Sequence, residues 1–372
     1  MYQPRVGDAL AALDTPALLV DLDLMEKNIA IMQERLQGSN ARIRPHLKTA
    51  KCPEIARILL AAGAIGGCVS KVSEAEVMAQ AGIEDLLITS EIVGVPKLDR
   101  LSQLVQNHPQ VKVVVDSLEG AAALNQAMER VQQPLDILIE VDVGQHRCGV
   151  QPGEATLQLA RQLTALSFLR LRGVQGYEGH LQHIADASER ERLCHQSMEL
   201  LTTTVADLRA AGFPCEIVTT GGTGTAEICA SYPAVTEIQP GSFIFMDTDY
   251  QHALGPVYAS ALTVHATVIS RPAPHRAIVD AGLKSLSTDS GMAQPKGLPG
   301  VRYSHFGDEH GLLEWDTGAT TGSASQALQI GERLELIPSH CDTTINLYDT
   351  YYAHRHGKIE AIWPIAARGK VQ

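Results

Sequence analysis

The chain of 372 residues has a formal net charge of −12 and 45% hydrophobic residues, which is ordinary for a globular protein. Its acidic balance argues against a nucleic-acid-binding surface, which needs a stripe of basic side chains. No apolar run approaches the roughly 20 residues of a membrane helix, and the N-terminus lacks the pattern of a secretory signal. Seven scattered cysteines indicate reduced thiols, so we expect a cytoplasmic protein that does not bind membranes.

Short apolar segments alternate with amphipathic segments through the first two thirds of the chain. Apolar residues three and four apart predict helices in the amphipathic segments, for example at 52–63 and 73–82. Strands that alternate with helices pair in parallel through right-handed crossovers. Eight or nine such units predict a (β/α)8 TIM-type barrel over residues 16–255. The predicted strands are 17–23, 41–48, 64–71, 85–91, 111–117, 135–143, 171–179, 216–222 and 236–243.

The pattern of residue types in the sequence changes after residue 255. Segments such as 258–270 and 332–340 are rich in alternating β-branched residues and contain few helical patterns. We therefore predict a second, mostly β domain over residues 256–372, on which the N-terminal segment 1–15 packs. The fold class is α/β, with an N-terminal barrel and a C-terminal β domain.

The segment "RIRPHLKTAK" at 42–51 is basic within an acidic chain. Side chains alternate faces along a strand, so Arg44, His46 and Lys48 are expected to share one face at the end of a barrel strand. Pro45 supports the alternative of a solvated strand end, because proline removes a hydrogen-bond donor from the sheet. Lys51 falls beyond the predicted strand, and we expect it to be solvated.

Lys48 can be a reactive lysine if it lies in a confined barrel mouth beside other cations, because such surroundings disfavour its ammonium form. A neutral amine is what Schiff-base chemistry requires, and pyridoxal phosphate is its commonest carbonyl partner. The glycine-rich segments 219–225 and 239–243 follow strands and could cradle a phosphate through backbone amides. The hydroxyls of Thr223 and Thr225 belong to the first segment, and Gly241 and Ser242 belong to the second.

Three further groups follow predicted strands. Arg147 could hold a carboxylate or a phenolate oxygen by charge-assisted hydrogen bonds, or it could simply begin a helix. Tyr177, His180 and His183 are either site residues or satisfied polar residues. His340 and Asp342 lie two positions apart, which suits a mixed nitrogen and oxygen site for Mn²⁺, Mg²⁺ or Zn²⁺ but also a surface hydrogen-bonded pair.

The segments "RPHLKTAKCPEIA", "KVSEAE", "EVDVGQHRCGV", "GGTGT", "GSFIFMDTDY", "DAGLKS", "DEHG" and "PSHCDTTINLYD" together resemble the D-threonine aldolase and D-serine dehydratase family. The resemblance runs from "DTPALLVDLD" to "WPIAARGK" and implies a pyridoxal phosphate enzyme of the alanine-racemase-like fold, fold type III. It implies that Lys48 carries the cofactor and that His340 and Asp342 bind a divalent ion. Around the cofactor it places Arg147, Tyr177, Gly222, Thr223, Gly224, Thr225, Gly241 and Ser242. Arg44 and His46, which share the predicted strand face of Lys48, are expected to bind the cofactor beside it.

The H-x-D form of the predicted metal pair bears on the reaction. Dehydratases of the family usually show H-x-C with zinc, whereas the aldolases show H-x-D and use Mn²⁺ or a similar ion such as Co²⁺. This chain has Asp342, but it departs from the common family pattern at Thr343, Phe243 and Ser90, where proline, tyrosine and asparagine are frequent. The departures bear on the substrate rather than on the cofactor.

The resemblance therefore favours retro-aldol cleavage of a D-β-hydroxy-α-amino acid to glycine and an aldehyde, by a homodimer. Dehydration of D-serine or D-threo-3-hydroxyaspartate is the nearer alternative, and a non-catalytic pyridoxal phosphate carrier is the more distant one. Arg147 and His340 are the expected catalytic partners of Lys48. The base stays open between His340, a water on the ion, His180 and His183.

Overall fold

The computed structural model describes residues 4–316 and 328–372. They form two compact units: one contains residues 32–241 and 369–372, and the other contains the described parts of 1–31 and 242–368. No helix in these described ranges is both long and apolar enough to cross a membrane. The predicted domain limits at residues 16 and 255 stay a prediction, because compactness alone does not define a folding domain.

The strands, numbered along the chain, are β1 (Ala17–Asp21), β2 (Arg42–Ile43), β3 (Gly67–Val69), β4 (Leu86–Ile88), β5 (Lys112–Val115), β6 (Leu135–Glu140), β7 (Leu169–Gln175), β8 (Ile217–Thr220), β9 (Glu237–Ile238), β10 (Leu262–Ala273), β11 (Arg276–Val279), β12 (Gln294–Pro295), β13 (Val301–His305), β14 (Gly311–Trp315), β15 (Arg333–Ile337), β16 (Thr350–Arg355) and β17 (Lys358–Pro364). The helices are α1 (Leu22–Arg35), α2 (Pro53–Ala61), α3 (Val72–Gln80), α4 (Val95–Asn107), α5 (Leu118–Val131), α6 (Glu154–Leu163), α7 (Ala187–Ala210), α8 (Ala226–Ala230), α9 (Thr248–Leu254) and α10 (Cys341–Ile345).

Strands β2 to β9 form a ring of parallel strands in the first unit. Each strand from β3 to β8 pairs with the next along the chain, and β9 also pairs with β2. A parallel bridge between His46, just beyond β2, and Cys68 in β3 closes the ring. The predicted (β/α)8 TIM-type barrel is therefore confirmed.

The barrel helices form where the sequence places an apolar stripe behind a start signal. Helix α2 has proline at its first position, where the missing N–H is not needed, and buries Ile55 and Leu59. Helix α5 begins after Ser117, whose side chain accepts a hydrogen bond from the amide of Gly120. Such local signals explain why the strand and helix alternation was visible in the sequence.

The second unit is a mostly antiparallel sheet, which confirms the predicted C-terminal β domain. Its strand order is β13-β14-β11-β10-β1-β16-β17, and β15 pairs with β10 and with β12. Buried residues of the N-terminal segment, of β1 and of β17 form one core cluster, which contains Leu13, Leu19 and Ile359. The amide of Gly7 also donates to the carbonyl of Ile359 at 2.8 Å, so the N-terminal segment is bonded to this sheet.

Strand β1 corrects the sequence analysis, which made residues 17–23 the first barrel strand. It pairs antiparallel with β10 and parallel with β16 in the second unit. Residues 17–20 are all buried, so the segment reads as an apolar run in either sheet. A strand followed by a helix has the same local sequence pattern whichever sheet it belongs to. Only its pairing partners show which sheet that is.

Candidate active site

Lys48 lies in a turn just beyond β2, at the carboxyl end of a barrel strand. The amide of His46 donates to the carbonyl of Pro240 at 3.0 Å, so extended backbone continues past β2. The chain then turns, and the amide of Lys51 donates to the carbonyl of Leu47 at 2.8 Å. Lys48 is half-buried there. Reactive groups of (β/α)8 enzymes lie at this end of the strands, where the sequence analysis expects Lys48.

Pro45 fits into this strand without breaking its pairing. Its carbonyl accepts a hydrogen bond from the amide of Cys68 at 2.9 Å, and the carbonyl of Cys68 accepts one from Leu47 at 2.7 Å. Proline removes only its own donor, so the contact with β3 continues on both sides of it. Pro45 is buried, which removes the argument for a solvated strand end.

His46 is a neutral imidazole beside Lys48. Its Nε2 lies 3.0 Å from the hydroxyl of Thr89. Burial lowers the pKa of His46 well below its ordinary 6.5, and the positive charges of Lys48, Arg147 and Lys51 lower it further. The ring therefore adds a hydrogen-bonding group but no further positive charge to this cationic region.

Arg44 lies toward the amino ends of the strands, away from Lys48. Its Nε and Nη2 donate to the two carboxylate oxygens of Glu237, both at 2.8 Å, and its Nη1 donates to Asp85 at 2.6 Å. Lys112 also binds Asp85, at 2.8 Å. Glu237 and Lys112 open their strands, and Asp85 precedes β4. We assign this buried charge cluster a structural role, in place of the cofactor contact expected for Arg44.

Lys51 is buried, which corrects the expectation that it is solvated. Its Nζ lies 2.5 Å from Oε1 of Glu74, which is itself 2% exposed. The other oxygen of Glu74 accepts hydrogen bonds from the amides of Ser70 and Lys71 at the start of α3. The partners lie far apart in the sequence, so the local pattern around Lys51 could not show the ion pair.

Arg147 and Tyr177, which the resemblance places beside the cofactor, contact each other. The guanidinium carbon of Arg147 lies 5.7 Å from the centroid of the Tyr177 ring, in cation–π geometry. The loop that carries Arg147 is held by Asp142, which accepts from the amides of Gly144 and His146, both at 3.0 Å. Arg147 itself is exposed and is therefore available to an anionic ligand.

The loop over residues 222–225 keeps a fixed shape through its own donors. The amide of Gly222 donates to the hydroxyl of Thr225 at 3.1 Å, and the amide of Gly224 donates to the side chain of Gln182 at 2.8 Å. A Cβ atom at either glycine would collide with Gln182. Two of the amides predicted to cradle a phosphate thus serve the loop itself.

Glu178 organises this loop, and the sequence analysis did not single it out. Its fully buried carboxylate accepts from the hydroxyls of Thr225 at 2.6 Å and Thr220 at 2.9 Å. It also accepts from the side-chain amide of Gln182 at 3.1 Å. The available signal was an acidic residue three positions after strand β7, in "GYEGH". The histidines that follow, His180 and His183, are both exposed.

The remaining predicted phosphate residues are small or buried. A Cβ atom at Gly241 would lie 2.6 Å from the hydroxyl of Thr49, so this strand end also requires glycine. Thr223 is buried in the loop that Glu178 holds. Ser242 belongs to the second unit, where it is buried and begins a short 3-10 helix, Ser242–Ile244. Lys48, Arg147 and the compact glycine loop fit an anionic carbonyl cofactor such as pyridoxal phosphate.

An acidic group that the sequence analysis missed lies beyond β4, β5 and β6. The ligand atoms of Glu91, Asp116 and Cys148 all lie within 4.8 Å of one another. Burial raises the pKa of nearby Glu140 to about 8, and the charge of Glu91 adds to this, while a hydrogen bond from Gln175 opposes it. Its members are spread over separate loops, so no sequence motif marked the group.

His340 and Asp342 lie close together in the second unit. His340 caps the amino end of α10, and its Nε2 lies 3.9 Å from Oδ2 of half-buried Asp342. One nitrogen and one oxygen at this separation fit a shared divalent ion. Between them, buried Cys341 has a pKa well above its ordinary value because it is desolvated, with Asp247 and Asp342 adding negative charge. Its thiol is therefore unsuited to be a nucleophile.

The other nitrogen of His340 is already engaged. Nδ1 lies 2.6 Å from Oδ2 of Asp289. Burial alone would raise the pKa of Asp289, but hydrogen bonds from Ser287, His340 and Thr343 lower it to about 2. Asp289 is thus a carboxylate that accepts from Nδ1–H, and Nε2 is the nitrogen left for an ion.

Two family models match this chain and together cover most of it. Residues 20–249 match the model described as "Alanine racemase, N-terminal domain", and residues 261–354 match the "Putative serine dehydratase domain". The chain is 42% identical to a D-threonine aldolase of an Arthrobacter species, over 98% of this chain and 95% of that one. It is 36% identical to a 3-hydroxy-D-aspartate aldolase of Paracoccus denitrificans, over 96% and 93% of the two chains.

A solved structure has the same fold over nearly the whole chain. The D-threonine aldolase of Filomicrobium marinum superposes with a TM-score of 0.94 at 40% sequence identity. The match covers 99% of this chain and 99% of that one.

Proposed function

This chain belongs to the D-threonine aldolase and D-serine dehydratase family of pyridoxal phosphate lyases, and we propose that it cleaves D-β-hydroxy-α-amino acids to glycine and an aldehyde. The observation that carries the proposal is the pairing of His340 with Asp342, the carboxylate form of the family's metal pair, in a chain that also holds Lys48 at a barrel mouth. D-Threonine is the substrate we propose to test first.

Pyridoxal phosphate is the proposed cofactor of Lys48. When bound, it withdraws electrons from the α-carbon of an amino acid and so permits a bond at that carbon to break. In this proposal the amine of Lys48 holds the cofactor covalently, and the neutral His46 beside it accepts or donates a hydrogen bond without adding charge. Gly222, Thr223, Gly224 and Thr225 line the phosphate, together with Gly241 and Ser242.

Arg147 and Tyr177 are proposed to orient the reacting group. The guanidinium of Arg147 is exposed and lies against the Tyr177 ring, which restricts where its donors point. Its planar fork of donors suits a carboxylate or a phenolate oxygen. An oriented carboxylate would present the Cα–Cβ bond of the substrate in one direction, which retro-aldol cleavage requires.

His340 and Asp342 are proposed to hold a divalent ion, with Mn²⁺ first and Mg²⁺, Co²⁺ or Zn²⁺ as alternatives. Such an ion would polarise the β-hydroxyl of the substrate and ease the loss of its proton. Both nitrogens of His340 are then engaged: Nδ1 donates to Asp289, and Nε2, on the side of Asp342, binds the ion. We therefore assign His340 to ion binding rather than to proton abstraction.

The test is a product analysis with D-threonine, pyridoxal phosphate and Mn²⁺. We expect glycine and acetaldehyde in equal amounts, no reaction with L-threonine, and loss of turnover in EDTA with the visible cofactor absorbance retained. Formation of 2-oxobutanoate without glycine would make the chain a dehydratase. A protein that holds the cofactor but turns over no β-hydroxy amino acid would be a carrier.

We further propose a homodimer, as the family resemblance implies, and a cytoplasmic location, because the seven scattered cysteines indicate reduced thiols. Sedimentation velocity of the purified protein tests the first part, and a mass of one chain of 40.0 kDa would contradict it.

A further inference from the structure

We propose that Asp289 is a positioning residue for the ion site: it accepts the Nδ1–H of His340 and thereby directs Nε2 of that ring toward Asp342. The inference rests on the proposed function, because it takes His340 and Asp342 as the ion's ligands. It adds to the proposed ion site a residue that lies 51 positions from His340 in the sequence, outside the H-x-D motif.

The direction of the hydrogen bond follows from the chemistry of the two groups. A carboxylate can only accept, so the 2.6 Å contact between Nδ1 and Oδ2 requires the proton to be on Nδ1. In the neutral form of the ring the lone pair is then on Nε2, which lies 3.9 Å from Oδ2 of Asp342. A carboxylate that holds the remote nitrogen of a ligating histidine fixes both the tautomer and the ring angle.

The carboxylate of Asp289 is itself held in place by two hydroxyl groups. Its Oδ1 accepts from Ser287 Oγ at 2.6 Å and from Thr343 Oγ1 at 2.8 Å, while Oδ2 remains for His340. Thr343 lies in the first turn of α10, directly after Asp342. The contacts with His340 and Thr343 therefore join this carboxylate to the segment that carries the predicted ligands.

The loop that carries Asp289 is also bonded to the start of α10. The amide of Ser287 donates to the hydroxyl of Thr344 at 3.3 Å, and the hydroxyl of Ser339 donates to the carbonyl of Ser287 at 3.2 Å. These bonds leave Asp289 little freedom to swing away, although its side chain is 43% exposed. A rigidly held acceptor is what a positioning role needs.

The hydroxyl of Thr343 can be removed without disturbing the backbone of α10. Thr343 occupies the third position of α10, where the backbone N–H has no partner within the helix. Replacement by proline or valine therefore removes the hydroxyl donor without breaking the helix.

The experiment measures Mn²⁺ binding to the cofactor-loaded protein by the EPR signal of the free ion. We compare the wild type with Asp289→Ala, Asp289→Asn and Thr343→Val, and use Asp308→Asn as the control because Asp308 is an exposed carboxylate of the same unit. Asp289→Ala should raise the Kd for Mn²⁺ by about 10–100-fold. Thr343→Val should raise it less, Asp289→Asn should lie between the two, and Asp308→Asn should leave it unchanged.

Turnover of D-threonine against Mn²⁺ concentration separates positioning from chemistry. With Asp289→Ala, saturating Mn²⁺ should restore most of kcat, because the ligands remain and only their orientation is lost. A purely structural role would lower Tm in circular dichroism without changing the Kd for Mn²⁺, and that result overturns the proposal. If Asp289→Ala fails to fold, the Asp289→Asn and Thr343→Val proteins decide the question by the same measurements.

The same data distinguish failure of this inference from failure of the proposed function. A wild type that binds Mn²⁺ but forms 2-oxobutanoate contradicts the aldolase proposal and leaves the Asp289 comparison intact. A wild type that binds no divalent ion overturns both. An unchanged Kd in Asp289→Ala, with glycine formed normally, overturns only the role of Asp289.

Discussion

Oε1 of Glu178 lies 2.6 Å from the hydroxyl of Thr225, and this buried contact joins the end of β7 to the end of the glycine loop. Thr220 donates to the other oxygen of the same carboxylate. The shape of the proposed phosphate site thus depends on an acidic side chain, although the ligand itself is an anion.

Replacing Glu178 by alanine should weaken binding of pyridoxal phosphate by about tenfold or more. The change leaves the buried donors of Thr220, Thr225 and Gln182 without their acceptor, at a cost of about 1–3 kcal/mol per unsatisfied group. An absorbance titration of the cofactor measures the Kd. The exposed Glu154→Gln is the control, and equal affinities for the two variants would contradict the role assigned to Glu178.

Lys48 and Lys51 should behave oppositely when replaced, although they lie three positions apart. Lys48→Ala should lose the visible absorbance of bound cofactor and keep the free energy of unfolding within about 0.5 kcal/mol. Lys51→Met should lose about 3–5 kcal/mol of stability, because Glu74 stays buried without its cation. Urea unfolding and absorbance spectra check both; retention of the absorbance band by Lys48→Ala would refute the cofactor assignment.

Replacing Arg44 by methionine tests whether it stabilises the barrel or binds cofactor. We expect a loss of about 3–5 kcal/mol in the free energy of unfolding, because Glu237 stays buried without its partner. Cofactor affinity measured at low temperature should be unchanged. Arg35→Met breaks an exposed ion pair with Glu227 and should cost less than about 1 kcal/mol. Weaker cofactor binding by Arg44→Met would instead support the contact expected from the sequence.

Glu140 should make the cofactor-free protein less stable at high pH. Its pKa is about 8 in the folded protein and 4.5 ordinarily, so the folded state holds this proton more tightly. The resulting stability is complete below pH 4.5 and is lost as the pH rises to about 8, by up to about 1.4 kcal/mol per pH unit. Glu140→Gln, which stays neutral, should remove this part of the slope in urea titrations. Identical slopes would contradict the shifted pKa.

The amino-acid sequence by itself determined the elements and the chemistry of single residues. Alternating apolar and amphipathic segments specify parallel strands and helices, and the motifs around Lys48, Gly222 and His340 supply the groups that we propose for function. These are local properties, because periodicity, turn residues and spacing act over a few neighbouring positions.

The tertiary structure alone decided which distant groups meet. Strand β1 pairs with β10 in the sheet of the second unit, Arg44 forms an ion pair with Glu237, and Lys51 forms one with Glu74. The free energy of a buried charge or strand depends on such partners, which lie far along the chain. Glu178 and Asp289 escaped the sequence analysis for the same reason. A carboxylate becomes an organising acceptor only when folding surrounds it with donors. The donors Thr220, Thr225, His340 and Thr343 lie more than 40 positions from the carboxylates that they bind.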